Sequence, residues 1–443
     1  MKRGIFIVVV LALALQCVFA GGGKQQSGGA ASGGAADKPV QITFRTWNPD
    51  DQGDAWAHTE QKFERLYPNI DIVLDQVTYS DHIQTLKVLV ASGEGPDTYG
   101  VQTGALMKEF SEFTVDVAPR MAKEFGADWE KMFLPFTLEM TKGSLPSYYG
   151  LPTGTGTAGH IWANLEYFTK YGQKVPANLR ELQAVTKFFR SKGELPLIIG
   201  AKDDWINIDM FINIAADINA KLLYDAIDGK ASFTSPDIVQ ALTIWRSLFT
   251  DGVFQDGALG INVYNDATTI FEDEGLAPLI CNGAWVVNGI DTFIKRYRDK
   301  GLPDPQYEVF TMDWNNDGKP AHVAPNVEVV VSLNKESKHP EEAWAFFKWY
   351  CTEGVKTLID ERLLYFPSLT SHVADVSRFP QETQKNFKKL VDIMTERAYG
   401  YREIAYPRLK QTICDQLKAI ATGESTPQRA AQIIEDASKA EKR

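Results

Sequence analysis

Residues 40–47 (VQITFRTW), 54–66 (DAWAHTEQKFERL), 70–74 (IDIVL), 80–90 (SDHIQTLKVLV) and 98–101 (TYGV) decide the fold. Val40, Ile42 and Phe44 alternate with Gln41, Thr43 and Arg45, the period-two pattern of a strand with one buried face. Trp47 falls off that phase, at the strand's C-terminal end. From Asp54 onward, Trp56, Phe63, Leu66 and Tyr67 recur at helical spacing until Pro68-Asn69 stops the helix. Ile70 to Leu74 reads as a second strand. Ser80 is placed to cap a helix carrying Ile83, Leu86, Leu89 and Val90, which ends at Ser92-Gly93. Gly95-Pro96 then leads into a third strand near Thr98 to Val101. Strand, helix, strand, helix, strand predicts an α/β fold with a largely parallel sheet, whose ligand crevice lies beyond the carboxyl ends of the strands. Trp47-Asn48 and Gln102-Thr103 both fall there.

Working outward, the chain has 443 residues, enough for two to three domains at about 150 residues each. It is 44% hydrophobic and 23% charged, which excludes disorder for most of its length. With 46 Lys and Arg against 57 Asp and Glu, the net charge is −11, so electrostatic capture of nucleic acid or of an anionic membrane is disfavoured. Ten Trp, 16 Tyr and 24 Phe make aromatic surface the feature to follow.

Lys2 and Arg3 precede an apolar run from Ile5 to Leu15, too short to span a bilayer and suited to a secretory signal over residues 1–20. Val18-Phe19-Ala20 allows cleavage before Gly21. Cys17 offers lipidation instead, behind a poor lipoprotein box in which Gln16 replaces a small residue. Residues 21–38 form a Gly/Ser/Ala tether that suits an anchored protein, so both outcomes stand. Cys281, Cys351 and Cys414 are widely spaced, without a C-x-x-C pair, and read as isolated buried thiols.

Further along, Leu151 to Gly156 (LPTGTG) reads as a crossing between lobes, and residues 160–300 are richer in helical periodicity. Short β-rich runs return at Tyr307 to Phe310 and Val327 to Leu333. Pro340-Glu341-Glu342 opens a helix with Ala343, Phe346, Phe347 and Tyr350 on one face, and the last hundred residues are mostly helical.

In Phe63 to Ile72 (FERLYPNIDI), Leu89 to Asp97 (LVASGEGPD), Tyr149 to Pro152 (YGLP), Phe271 to Trp285 (FEDEGLAPLICNGAW), Ser337 to Phe347 (SKHPEEAWAFF) and the tail around Tyr406 to Ala431, the chain resembles the family 1 extracellular solute-binding proteins of bacterial ABC importers, which include maltose-binding and multiple-sugar-binding proteins. The resemblance implies a type II periplasmic-binding-protein fold: two α/β lobes, residues 39–152 with 306–336 and residues 153–305 with 337–443, joined by a hinge around a ligand cleft. It implies no covalent chemistry and no cofactor. The implied ligand is a carbohydrate, by the family's habits an oligosaccharide, and the implied partners are ABC permease subunits met by a monomeric receptor outside the cytoplasmic membrane. Two departures stand out: the family's glycine-rich stretch reads here Ala324-Pro325-Asn326-Val327-Glu328, and the polar residue after the GPD strand appears as Gln102 to Gly104.

Trp285, after Asn282-Gly283-Ala284, matches the position where sugar binders of this family stack an aromatic on a pyranose; the plain alternative is a core Trp behind a Gly turn. Trp47 serves equally as a cleft face or as lobe packing. Asn48, Gln102, Thr155, Asp204 and Asn282 are the expected polar contacts, although Ile206, Ile208 and Phe211 could make the Asp204-Trp205 region a buried helix start. GTGTAG at 154–159 imitates a dinucleotide fingerprint, but Pro152 interrupts the strand it needs, and a flexible hinge or cleft loop explains it better. Asp313 to Gly318 imitates half a calcium loop, yet Ala324 stands where Glu is required, and a hairpin on the Asp-Gly turn is preferred. Glu272, Asp273 and Glu274 read as solvated surface, and the six histidines lack metal spacing. A glycoside hydrolase would need two carboxylates about 5 to 9.5 Å apart across the cleft. A receptor for an anionic solute would need cleft cations, of which the proposed loops offer only Arg45.

Overall fold

A computed structural model describes residues 38–47 and 54–442. The signal segment, Cys17 and all of the tether except Lys38 lie outside the described residues. Among those described, no helix is long and apolar enough to cross a membrane.

Two sheets organise the body. The first has strands β1 (Val40–Trp47), β2 (Ile70–Val77), β3 (Thr98–Val101), β4 (Leu151–Thr157), β9 (Pro325–Leu333) and β10 (Phe366–Pro367), in the order β10-β4-β9-β3-β1-β2. As the βαβ pattern requires, β1 runs parallel to both β2 and β3. The later strand β9 enters antiparallel between β3 and β4. The second sheet has β5 (His160–Asn164), β6 (Leu197–Ile198), β7 (Leu279–Asn282) and β8 (Tyr307–Phe310), in the order β6-β7-β5-β8.

Each sheet supports its own core. Ile42 and Phe44 of β1 pack with Trp56 and Phe63 of the helix Ala55–Leu66 and with Trp344, Phe346 and Ile359 from the helices Pro340–Trp349 and Val355–Arg362. Burying a side chain such as Phe44 contributes roughly 1.5–3 kcal/mol. Leu66, read as part of that apolar face, is exposed instead. On the second sheet, Ile161 and Cys281 meet Phe189, Phe211, Trp245, Leu417 and Ile434 from five helices. The helix Gln381–Arg397 closes its β8 edge: Asn386 Oδ1 accepts from Val309 N at 3.0 Å and Glu382 Oε1 from Tyr307 N at 2.8 Å. Free Cys281, Cys351 and Cys414 are all buried.

Five expectations change, the first being that residues 307–310, expected in the first lobe with 306–336, form β8 of the second sheet by pairing with β5. The helix after β2 is Tyr79–Ala91, capped by Thr78, whose side chain accepts from Asp81 N, rather than starting at Ser80. The expected boundary at 152/153 cuts through β4, whose Thr155 pairs with Val327 in the first sheet, so the chain crosses between sheets later, at Ala158-Gly159. Residues 340–362, expected in the second lobe, pack in the first because Trp344 and Phe346 cover β1. Asp313 to Gly318 forms no hairpin: the Asp313 carboxylate accepts from Asp317 N at 3.0 Å and Gly318 N at 2.9 Å, closing a loop around its own turn.

Candidate ligand-binding cleft

The carboxyl ends of β1 and β3 bring Trp47 and Gln102 to one wall of a cavity, and β4 adds Thr155. The opposite wall carries Trp205, Tyr264 and Trp285 from the second lobe. Counted out to its mouth, open solvent included, the space is about 720 Å³.

Trp47 packs edge-on against Tyr79 at 5.5 Å and tilts over His82 at 5.1 Å, so its off-phase position has turned the ring toward the strand end. Burial pushes the His82 imidazole down to about 4, which keeps this packing uncharged at neutral pH. Tyr79 donates from its hydroxyl to Gln102 Oε1 at 2.5 Å, fixing the amide at the cavity wall. Thr155 lines the cavity too, although its hydroxyl donates weakly to Phe366 O at 3.4 Å.

Trp285 combines the two sequence readings. A Cβ on Gly283 would meet its ring at 2.2 Å, so the ring lies flat on that glycine and still lines the cavity. Trp205 tilts against it at 5.6 Å and stacks on Tyr264 at 6.0 Å, making one aromatic wall.

At the floor sits Arg402, buried to 4% exposure, from the segment before the helix Pro407–Thr422. Its Nε donates to both oxygens of Asp209 at 2.9 Å, and its Nη1 to Glu328 Oε1 at 2.8 Å. Asp209 belongs to the helix Asp204–Ile227 and Glu328 to β9, so one guanidinium ties together side chains of both lobes. Its Cζ also lies 5.3 Å from the Trp285 ring and 5.8 Å from Trp205. Glu403 and Lys410 form a neighbouring ion pair. Three carboxylates thus share two cations. Burial accordingly raises Asp209 to about 6, although Arg402 pulls it down, and it raises Glu328 as well.

Five of the expected polar contacts therefore divide. Gln102 and Thr155 line this cavity, while Asn282 lines an adjoining groove. Asp204 lines neither: it pairs with Lys418 at 2.7 Å, and its neighbours Asp203 and Trp205 face the groove instead. Asn48 lies outside the described residues. Arg45 is not in the cavity but pairs with Asp75 and donates to Thr85 Oγ1 at 2.6 Å. The Gly-rich run of β4 is a strand, and its glycines make room: a Cβ on Gly156 would meet Glu328 Oε1 at 2.8 Å. Tyr79, Tyr264, Tyr365, Glu328 and Arg402 were missed as site residues. Only Glu328 carried a signal, a lone charge in the otherwise buried strand PNVEVVVSL.

Comparison with known proteins gives the same architecture. The family model for bacterial extracellular solute-binding proteins matches residues 48–357. The chain belongs to this family. Among relatives, a multiple sugar-binding protein of Streptococcus mutans is 24% identical over 71% of this chain and 72% of its own length. An uncharacterized ABC transporter extracellular-binding protein of Pyrococcus horikoshii is 24% identical over 45% of this chain, and the match spans about half (46%) of that protein. A solved structure from work on xylan utilization by Caldanaerobius polysaccharolyticus superposes with a TM-score of 0.77 at 20% identity, covering 91% of this chain and 100% of that one. The shared fold is the expected type II arrangement of two α/β lobes about a hinge.

Proposed function

We propose that this solute-binding protein is an exported receptor that takes a carbohydrate between its lobes and delivers it to an ABC permease. Trp47 and Trp285 are the stacking faces, with Gln102 and Thr155 as polar contacts on the first lobe. One observation carries the reading: aromatic walls from both lobes enclose a cavity whose single floor cation is already matched by two carboxylates. Sugars present apolar C–H faces and neutral hydrogen-bonding edges, which suits that combination. An anionic solute would have to displace Asp209 or Glu328 from Arg402. A ligand touching both walls favours the closed arrangement by its differential affinity, and a permease can then read loaded from empty receptor. The names of the relatives, a sugar-binding protein and a protein from xylan utilization, support the same class. The receptor is proposed to act as a monomer at the outer face of the membrane, cleaved before Gly21 or anchored at Cys17.

Calorimetric titration with neutral oligosaccharides, inorganic phosphate and short peptides tests this. At least one sugar is expected to bind unchanged, and Trp285→Ala is expected to weaken it by about 2 kcal/mol, roughly 30-fold. Binding of phosphate or peptide with no sugar bound overturns the carbohydrate assignment, and release of shortened sugar products overturns the receptor reading.

A further inference from the structure

The chain passes between the two sheets at Ala158-Gly159, from β4 into β5, and again on the way from β8 into β9, at Ala324-Pro325. A strap over residues 397–404 runs along the second of these crossings. Val323 N donates to Arg397 O at 3.0 Å, Tyr399 N to Val323 O at 3.0 Å and Arg402 N to Pro325 O at 3.3 Å. The strap is fixed to the second lobe: the Tyr224 hydroxyl donates to Tyr401 O at 3.0 Å, and Ile404 is buried in the second sheet's core. Its other side meets the first lobe. Arg402 reaches Glu328 of β9, and a Cβ on Gly104 would lie 3.1 Å from the Glu403 backbone oxygen.

Glu328 is aimed at the strap by its own strand. Val329 pairs with Gly154 and Val327 with Thr155, which leaves Glu328 as the extra residue of a β-bulge, with no partner on β4. The helix that bears Asp209 rests on the first crossing: Gly159 takes φ +77°, and a Cβ there would meet Asp209 O at 3.0 Å. The two attachments of Arg402 are unequal. Toward Asp209, in its own lobe, Nε lies 2.9 Å from both carboxylate oxygens. Toward Glu328, in the other lobe, it makes one bond from Nη1 at 2.8 Å. Glu328 and Arg402 both line the cavity, so they lie on the side of the crossings that parts when the lobes swing open.

We infer that Glu328 and Arg402 form a latch across the hinge, which holds part of the receptor population closed before any solute arrives and opens by releasing Glu328 while Arg402 stays with Asp209. Opening returns Glu328 and one edge of the guanidinium to water, and that solvation offsets much of the lost attraction. The two arrangements are therefore poised against each other, and the latch sets how much differential affinity a solute must supply to complete closure. This goes beyond the carbohydrate reading and is independent of the class of solute.

The test is double electron–electron resonance on the full mature chain beginning at Gly21, without solute. Nitroxide labels go on Gln84→Cys, in the helix Tyr79–Ala91 of the first lobe, and on Lys202→Cys, beside Asp203 in the second; both positions are exposed, whereas Cys281, Cys351 and Cys414 are buried. The labelled parent is expected to show a near and a far population. Glu328→Ala, which removes the acceptor, is expected to lower the near-to-far ratio roughly tenfold, and Glu328→Gln, which keeps the shape and an acceptor but not the charge, roughly threefold. Thermal unfolding checks that each variant is folded, and Glu328→Gln decides alone if Glu328→Ala is not. A parent with the far population only, or a folded variant whose ratio equals or exceeds the parent's, overturns the latch. Because no solute is present, either failure leaves the carbohydrate reading standing.

Discussion

Arg45 and Arg402 are both guanidinium groups with little exposure, yet their surroundings make them opposites. Arg45 lies on β1 and pairs with Asp75, a carboxylate whose side chain is 39% exposed. Arg402 is enclosed with Asp209 and Glu328, at 3% and 11% side-chain exposure, and with two tryptophan rings. If Arg45 is lost, water re-solvates the part-exposed Asp75 that remains. If Arg402 is lost, two carboxylates stay buried without a counterion. The difference teaches that a cation at a cleft floor need not advertise an anionic ligand, because this one is consumed in joining the lobes.

The largest expected effect follows directly. Arg402→Met should cost about 3–5 kcal/mol of stability, read by denaturant unfolding. A loss below about 1 kcal/mol would mean that the cluster is open to solvent and that the two arginines are not opposites after all.

Next comes the proton that the cluster takes up. Asp209 is raised from 3.8 to about 6 in the fold, so its protonated form is favoured there. That contribution to stability is fully present below 3.8 and is lost as pH rises through 6. Buried His82 and His160, pushed down to about 4 and about 3, act oppositely and lose stability as pH falls below 6.5. The informative quantity is therefore a difference: between pH 7.5 and 5.5 the wild type should gain about 1 kcal/mol relative to Asp209→Asn. Parallel pH profiles for the two proteins would break the assignment.

The smallest effect belongs to the first arginine. Arg45→Ala should change stability by less than about 1 kcal/mol and lose part of that effect in high salt. A cost comparable to Arg402→Met would erase the contrast.

What the sequence revealed follows from which forces are local. The alternation in Val40 to Trp47 and the helical faces that follow encode burial residue by residue, so the parallel order of β1, β2 and β3 was legible. So was the placement of Trp47 and Gln102 at the carboxyl ends of β1 and β3, on the cavity wall. The Arg402 cluster joins positions 193 and 74 residues apart, and no local pattern announces such a meeting. Gly154 and Gly156 misled for a related reason: their lack of a side chain answers to Tyr365 and Glu328, distant in sequence, rather than to backbone freedom. Asp204 was displaced by a single helical position, which is enough to hand the cleft to Asp203 and Trp205 and leave it with Lys418.

The three sulfhydryls have a practical consequence. Cys351 is embedded with the first sheet's hydrophobic side chains, and Cys281 and Cys414 with the second's. Burial pushes the Cys414 thiol up to about 12 and raises the other two well above the usual thiol range, so none offers thiolate while its surroundings remain closed. Alkylation by a small electrophile, followed site by site with mass spectrometry, thus becomes an internal stopwatch for breathing in each half separately, with no label to engineer.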